Sequence, residues 1–185
     1  MFAKYPGPSA YVLPMNCVPK NNQFIPYIMT EEELESFFDA ADRLSFRYDS
    51  FLKTTIPVML RFIYACGLRP GEALRLKADD IDLKTGEIFI KNTKRHKDRI
   101  IVASVSVIAM LKKYDSIRSL TVDSTEYFFC AGDGSRIYLH QLDRSVRRCW
   151  ILCHPETEPG DLPMIRAYDF RHRFASAVLQ APAGQ

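Results

Sequence analysis

The sequence predicts one α+β domain, mainly helical, with a small three-stranded antiparallel sheet. Several stretches place apolar residues at helical spacing. Two runs with β-strand character, 87–91 and 99–103, flank a short polar segment, which is typical of a hairpin. The chain of 185 residues holds no internal repeat and is long enough to bury one core of ordinary size. These observations together favour helices packed around a minor sheet.

The composition is that of a globular protein. With 47% hydrophobic and 25% charged residues, the chain is apolar enough to fold without a partner. No apolar run approaches the roughly 20 residues that span a bilayer, and the first residues lack the pattern of a signal peptide. The five cysteines are odd in number and irregularly spaced. We therefore expect a reduced, cytoplasmic protein that does not contact a membrane.

The predicted domain occupies residues 30–180. Residues 1–29 contain five prolines and no sustained periodicity, which indicates a linker or extended arm. Thr30 and Glu33 have the spacing of a capping box and predict a helix to about residue 43. Residues 181–185 are expected to form a disordered tail.

The middle of the chain predicts a buried helix followed by a short one. Residues 51–66 are apolar on nearly all sides, as in a central helix. Gly67 is suited to end this helix, and Pro70 is suited to the first position of the next. Arg69 is thereby placed at a junction between two helices.

The second half predicts the sheet and three further helices. The two runs of the hairpin enclose a basic tip, and Ser104 can cap a helix to about residue 119. Residues 127–130 are expected to form the third strand. Helices are then expected over 138–153 and 169–179.

Positive charge is concentrated in three separated clusters, although the net charge is only +3. Such a distribution suits a surface that follows a polyanion. On charge alone, solvated faces balanced by acidic residues elsewhere explain it equally well. The clusters are Lys91, Lys94, Arg95, Lys97 and Arg99; Arg144, Arg147 and Arg148; and Arg166, Arg171 and Arg173.

Arg69 is the first candidate for binding a phosphate. Pro70 favours an extended backbone at Arg69, so that the side chain leaves from the junction and not from a helix flank. A guanidinium held there can bind two phosphate oxygens. Taken alone, however, an arginine at this position more often caps the preceding helix.

The segment 66–76 resembles the first arginine box of the tyrosine recombinases, the phage integrase family. The matching residues are Gly67, Leu68, Arg69, Glu72, Ala73 and Leu76. The segment 93–102 is similar to the hairpin of the same family, in which Lys94 takes the position of the catalytic lysine. If the register of the hairpin differs, Lys91 or Lys97 takes the position of the catalytic lysine. The alternative for any lysine on an exposed hairpin is that it only keeps the protein soluble.

The segment 167–176 resembles the second arginine box of the family. Arg171 then becomes the second phosphate-binding arginine, and His172 becomes its neighbouring histidine, which is chiefly structural in the family. Tyr168 stands where the family usually has a histidine. A tyrosine can donate a hydrogen bond to phosphate, but with an ordinary pKa near 10 it is a poor proton acceptor at neutral pH.

The resemblance implies an integrase-like catalytic domain that acts in site-specific DNA recombination or integration, as in mobile elements. In this family a tyrosine attacks DNA and forms a 3′-phosphotyrosine bond, while two arginines stabilise the transition state. The resemblance implies that the protein needs no cofactor and no catalytic metal. It also implies that the partners are double-stranded DNA and further copies of the protein, which associate with one another on DNA. Arg69, Lys94, Tyr168 and Arg171 are the expected catalytic set. The residues expected to bind DNA are Arg95, Lys97, Arg144, Arg147, Arg148 and His172.

The family's nucleophilic tyrosine lies beyond the second box, and no tyrosine follows Tyr168 in these 185 residues. We therefore expect a truncated catalytic domain that binds DNA and does not cleave it alone. The alternatives are a remnant that competes for recombination sites, or a helical domain that binds acidic proteins. Cys149, Cys153 and His154 could also ligate zinc, but burial explains these cysteines more simply.

Overall fold

The computed structural model describes residues 26–91 and 98–180. Within these ranges six α-helices and one hairpin follow one another along the chain. The elements are α1 (Glu31–Asp42), α2 (Leu52–Ala65), α3 (Pro70–Ala73), β1 (Glu87–Ile90), β2 (Arg99–Val102), α4 (Val105–Thr121), α5 (Leu139–Leu152) and α6 (Asp169–Gln180). A mainly helical fold with a small antiparallel sheet is confirmed.

The central position of α2 is also as predicted. This helix packs against α1, α3, α4 and α6, and most of its apolar residues are buried. Its buried hydroxyl, Thr55, donates a hydrogen bond to the carbonyl of Cys130 (3.1 Å) and lies 3.3 Å from the Tyr114 hydroxyl. The one buried polar side chain of this helix therefore has hydrogen-bond partners inside the core.

The helix starts follow local signals that the sequence already displays. The Glu33 amide donates to the Thr30 hydroxyl (3.2 Å), and the Thr30 amide donates to the Glu33 carboxylate (2.8 Å). Ser104 accepts from the amide of Val107 at the start of α4. Helix ends agree with the expectations to within one or two residues.

The prediction of three strands was wrong in the described part of the chain, where the sheet has two. Glu87 pairs with Val102 and Ile90 with Arg99 in an antiparallel register. Residues 127–130 form only isolated bridges, at Tyr127 and Cys130. The physical reason is that this buried segment makes single bridges to Lys77 and Arg136 and, among the described residues, no ladder of hydrogen bonds with β1 or β2.

Residues 26–29 lie against the helical domain. Met29 is buried, and the Tyr27 hydroxyl donates to the Glu33 carboxylate (2.7 Å). Residues 1–25 of the expected arm, and the expected tail 181–185, lie outside the described residues. In the described ranges no helix is long and apolar enough to cross a membrane.

The cysteines and histidine considered for zinc have other partners. Cys149 is buried in the core. Cys153 Sγ lies 3.2 Å from His154 Nδ1, which is also 2.9 Å from the carbonyl oxygen of Trp150. No cluster of three or more potential metal ligands occurs within 26–91 and 98–180.

Candidate phosphate-binding site

Arg69 occupies the junction between α2 and α3 with the extended backbone that the following proline favours (φ −72°, ψ 139°). Its amide donates to Glu72 Oε2 and its Nη1 donates to Glu72 Oε1, both at 2.9 Å. The side chain nevertheless remains 37% exposed. The guanidinium is therefore held on one edge and keeps donors free for an anion.

Glu72 is the buried carboxylate of this site, with only 1% of its side chain exposed. Arg99, at the start of β2, donates Nη1 to Oε1 (2.9 Å) and Nη2 to Oε2 (2.8 Å). Burial by itself would raise the pKa of Glu72, but the hydrogen bonds from Arg99 and Arg69 outweigh it and lower the pKa to about 2. Glu72 is thus charged at neutral pH.

Tyr168 brings the second box to the first. Interactions of the Arg69 guanidinium with Glu72 and then with the Tyr168 side chain raise the pKa of Arg69. The Tyr168 ring also lies beside that of His172, with centroids 5.2 Å apart. Tyr168 is 37% exposed, as is the side chain of Arg69.

Arg171 joins the same site through the backbone of the first box. Its Nη1 donates to the carbonyl oxygen of Gly67, 104 positions earlier in the chain. The approach of α6 to the end of α2 is close, because a Cβ atom on Gly67 would lie 2.4 Å from the Phe174 ring. Gly67 also has φ +58°, which favours glycine, and it ends α2 as predicted.

The charges around this site are mostly positive. Arg69 and Arg99 both pair with the Glu72 carboxylate, and Arg171 binds the carbonyl of Gly67. Guanidinium groups and hydroxyls are groups that can bind the non-bridging oxygens of a phosphodiester. These residue types therefore suit an anion better than a metal cation.

The hairpin residues are placed only in part. Lys94, Arg95 and Lys97 lie in the segment 92–97, outside the described residues. Lys91, the alternative candidate, has its Nζ paired with the nearly buried carboxylate of Asp80.

The three arginines of α5 differ in their contacts. Arg147 donates to the main-chain carbonyls of Pro159 and Pro163, the latter at 3.2 Å. Arg148 donates to the carbonyl of Ser45 (2.6 Å). Arg144 has no hydrogen-bond or ion-pair partner in the part of the chain that the structure describes, and it lines a cavity of about 570 Å³. Of the three, Arg144 is thus the one whose guanidinium forms no such contact with the described residues.

Arg99 is the residue of this site whose role sequence reasoning missed. In the sequence Arg99 is one member of a basic cluster, and nothing in its local pattern connects it with Glu72. The available signal is indirect: a glutamate in an apolar stretch requires cationic partners, and the spacing of Arg69 and Glu72 supplies only one of them.

Comparison with known proteins gives a consistent family. A family model described as the phage integrase family matches residues 28–184. The chain is 30% identical over 155 residues to a putative integrase/recombinase, y4rE, of Sinorhizobium fredii, covering 81% of this chain and 47% of that protein. It is 24% identical over 162 residues to the tyrosine recombinase XerA of Pyrococcus horikoshii, covering 88% and 50%. The chain spans about half the length of the curated relatives it matches.

Solved structures show the same fold. The crystal structure of XerA recombinase matches with a TM-score of 0.67 and 24% identity, covering 90% of this chain and 53% of that one. The XerH site-specific recombinase bound to palindromic difH substrate, in a post-cleavage complex, matches with a TM-score of 0.66 and 26% identity, covering 87% and 44%.

Proposed function

Because this chain belongs to the phage integrase family, the site-specific tyrosine recombinases, we propose that it supplies the part of their catalytic domain that binds one phosphodiester of duplex DNA. The observation that carries the proposal is the meeting of Arg69, Tyr168 and Arg171. Arg171 donates a hydrogen bond to the carbonyl of Gly67, and the Tyr168 side chain contributes to the raised pKa of Arg69, although the two boxes are far apart in sequence. Convergence of this kind is what binding of a single phosphate requires.

The chemistry of strand exchange explains the residue types. The transition state of phosphoryl transfer gathers negative charge on the non-bridging oxygens, and guanidinium groups stabilise it. Arg69 and Arg171 take this role in the proposal, and Tyr168 donates a hydrogen bond to the same phosphate. Lys94, in the segment 92–97, is proposed to protonate the departing 5′ oxygen.

DNA and a second copy of the protein are the proposed partners. Recognised relatives include a XerH recombinase bound to difH substrate and a lambda integrase tetramer bound to a Holliday junction. By analogy with these proteins we propose duplex DNA as ligand and self-association on DNA. Arg144 is the described residue of α5 proposed to add a further phosphate contact.

These 185 residues alone are proposed to bind DNA without cutting it. No tyrosine follows Tyr168 in them, and Tyr168 is engaged with Arg69. We expect a nicked suicide duplex to yield no covalent protein–DNA adduct with this chain. An adduct linked through any tyrosine would contradict the non-cleaving part of the proposal.

Duplex binding tests the site itself. Fluorescence anisotropy over a salt series should show affinity falling linearly with salt on a double-logarithmic plot. Arg69→Ala and Arg171→Ala should each weaken binding roughly tenfold or more, because each removes a charge-assisted bond to phosphate. Each should also reduce the salt slope by about 1.

The matched control for these variants is Arg61→Ala. Arg61 forms a two-pronged pair with Asp42 (2.8 and 2.7 Å), so its loss also removes one guanidinium and one ion pair. Its DNA affinity should remain that of the unmodified chain. Unchanged affinity in both Arg69→Ala and Arg171→Ala would refute the proposed site.

A further inference from the structure

Glu72 is shared by two arginines that come from different elements. Arg69 lies at the start of α3, and Arg99 is the first residue of β2. Each oxygen of the carboxylate accepts two hydrogen bonds, one from each arginine, at 2.8–2.9 Å. With both oxygens bonded from two directions and the side chain 1% exposed, the carboxylate is held in one orientation.

We infer that Arg99 is a positioning residue for Arg69. By holding Glu72, it fixes the Arg69 guanidinium to the base of the hairpin whose connecting segment contains Lys94. The inference rests on the proposed function, since it concerns the same phosphate. In it, Arg99 itself does not touch the DNA.

The placement of Arg99 in the hairpin supports this coupling. Arg99 pairs with Ile90 at the end of the ladder that leads into the segment 92–97. Directly after the other strand, Lys91 pairs with Asp80, and the Asp80 carboxylate accepts a hydrogen bond from the amide of Lys77 (3.1 Å). Ion pairs with Glu72 and Asp80 thus connect both sides of the hairpin to residues 72–80, which follow Arg69 in the chain.

The geometry of the pair also matters. Arg99 binds Glu72 through two parallel hydrogen bonds, an arrangement that defines direction as well as charge. Without Arg99, each Glu72 oxygen would keep one hydrogen bond, from the Arg69 amide or from Arg69 Nη1, and Arg99 adds a second bond to each oxygen. With Arg99 present, the two guanidinium groups and the carboxylate form one rigid unit.

A double-mutant cycle on duplex binding tests the inference. Arg99→Met should weaken DNA binding about threefold or more, but should have almost no further effect in the Arg69→Ala background. The matched control, Arg61→Met, should leave affinity unchanged. Equal losses in both backgrounds would mean that Arg99 contacts DNA directly, and would overturn the inference, as would no loss in either.

A neutral pair distinguishes positioning from simple neutralisation of a buried charge. Arg99→Met leaves Glu72 with one cation, whereas Arg99→Met combined with Glu72→Gln leaves no buried charge unpaired. We expect the double variant to recover most of the unfolding midpoint but to keep at least a threefold loss of DNA affinity. Recovery of both properties would show that Arg99 only neutralises Glu72.

A measurement without DNA separates this inference from the proposed function. The order parameter of the Arg69 Nε–H bond, from ¹⁵N relaxation, should fall in Arg99→Met and not in Arg61→Met. An unchanged order parameter would overturn the positioning role. A chain that binds no DNA but loses order at Arg69 would refute the proposed function and leave the positioning role standing.

Discussion

Glu72 is a carboxylate with almost no exposed side-chain surface, and the two arginines that bind it supply the charge that its burial requires. A buried carboxylate without partners would be neutralised by protonation. Here four hydrogen bonds favour the charged form, so that burial and charge coexist. The contribution of Glu72 to the free energy of unfolding therefore depends on pH.

Acid should remove the stabilisation that Glu72 provides. Its pKa falls from an ordinary value of 4.5 to about 2 in the folded protein, so the contribution is complete above pH 4.5 and is lost as the pH falls through about 2. The lowered pKa corresponds to a contribution of roughly 3 kcal/mol to the free energy of unfolding. Chemical denaturation between about pH 5 and pH 2 measures this component.

Glu72→Gln should lower stability at neutral pH and show a smaller loss of stability on acidification. Glu156→Gln, which changes an exposed glutamate in the loop after α5, is the control and should keep the acid dependence of the unmodified chain. An equally steep acid dependence in Glu72→Gln would show that other carboxylates carry the effect.

At the scale of elements, the candidate site depends on the contact between the end of α2 and the start of α6. Gly67 permits that contact, because it lacks a Cβ and adopts a positive φ. The same residue offers its carbonyl to Arg171. One position therefore ends a helix, admits the Phe174 ring and orients a candidate catalytic arginine.

Gly67→Ala should destabilise the fold and weaken DNA binding together. The left-handed backbone costs an alanine about 1–2 kcal/mol, and displacement of the Phe174 ring adds to this, so we expect a loss of more than about 2 kcal/mol in urea denaturation. Gly160→Ala is the matched control, since a Cβ there meets nothing within 4 Å. It should change stability by less than about 0.5 kcal/mol. Equal stabilities for the two variants would contradict the close approach of α6.

At the scale of the whole molecule, α2 connects the site to the rest of the core. The aromatic cluster of Tyr114, Phe128 and Phe129 lies along this helix, with ring centroids 5.0–5.5 Å apart. On the other side, Arg173 of α6 pairs with Glu31 of α1. The helices that carry the two arginine boxes thus share one core, and should unfold with it.

Trp150 reports on that cooperativity. It is the single tryptophan, is fully buried in α5, and contacts the rings of Tyr27 and His154 at centroid distances of 5.6 and 4.1 Å. Its fluorescence and the far-UV circular dichroism should give the same denaturation midpoint. An earlier fluorescence transition would show that α1 and α5 unfold separately from the core that holds the site.

The sequence by itself determined the elements whose signals are local. Thr30 and Ser104 begin helices through their own hydroxyls, Gly67 ends one, and Pro70 starts another while extending Arg69. The short spacing of each arginine box also made Arg69, Tyr168 and Arg171 recognisable, because family motifs depend on neighbours in the chain. Hydrophobic periodicity predicted α2 as the buried helix for the same reason.

Only the tertiary structure decided which groups meet. The bond between Tyr168 and Arg69, and that of Arg171 with Gly67, join segments that no local pattern relates. Arg99 reaches Glu72 because the hairpin folds back over α3. Residues 128–130 are buried in the core, and the segment 127–130 does not form a strand of the sheet. Local hydrogen bonding is encoded over a few residues, whereas burial and charge pairing depend on the packing of the whole chain.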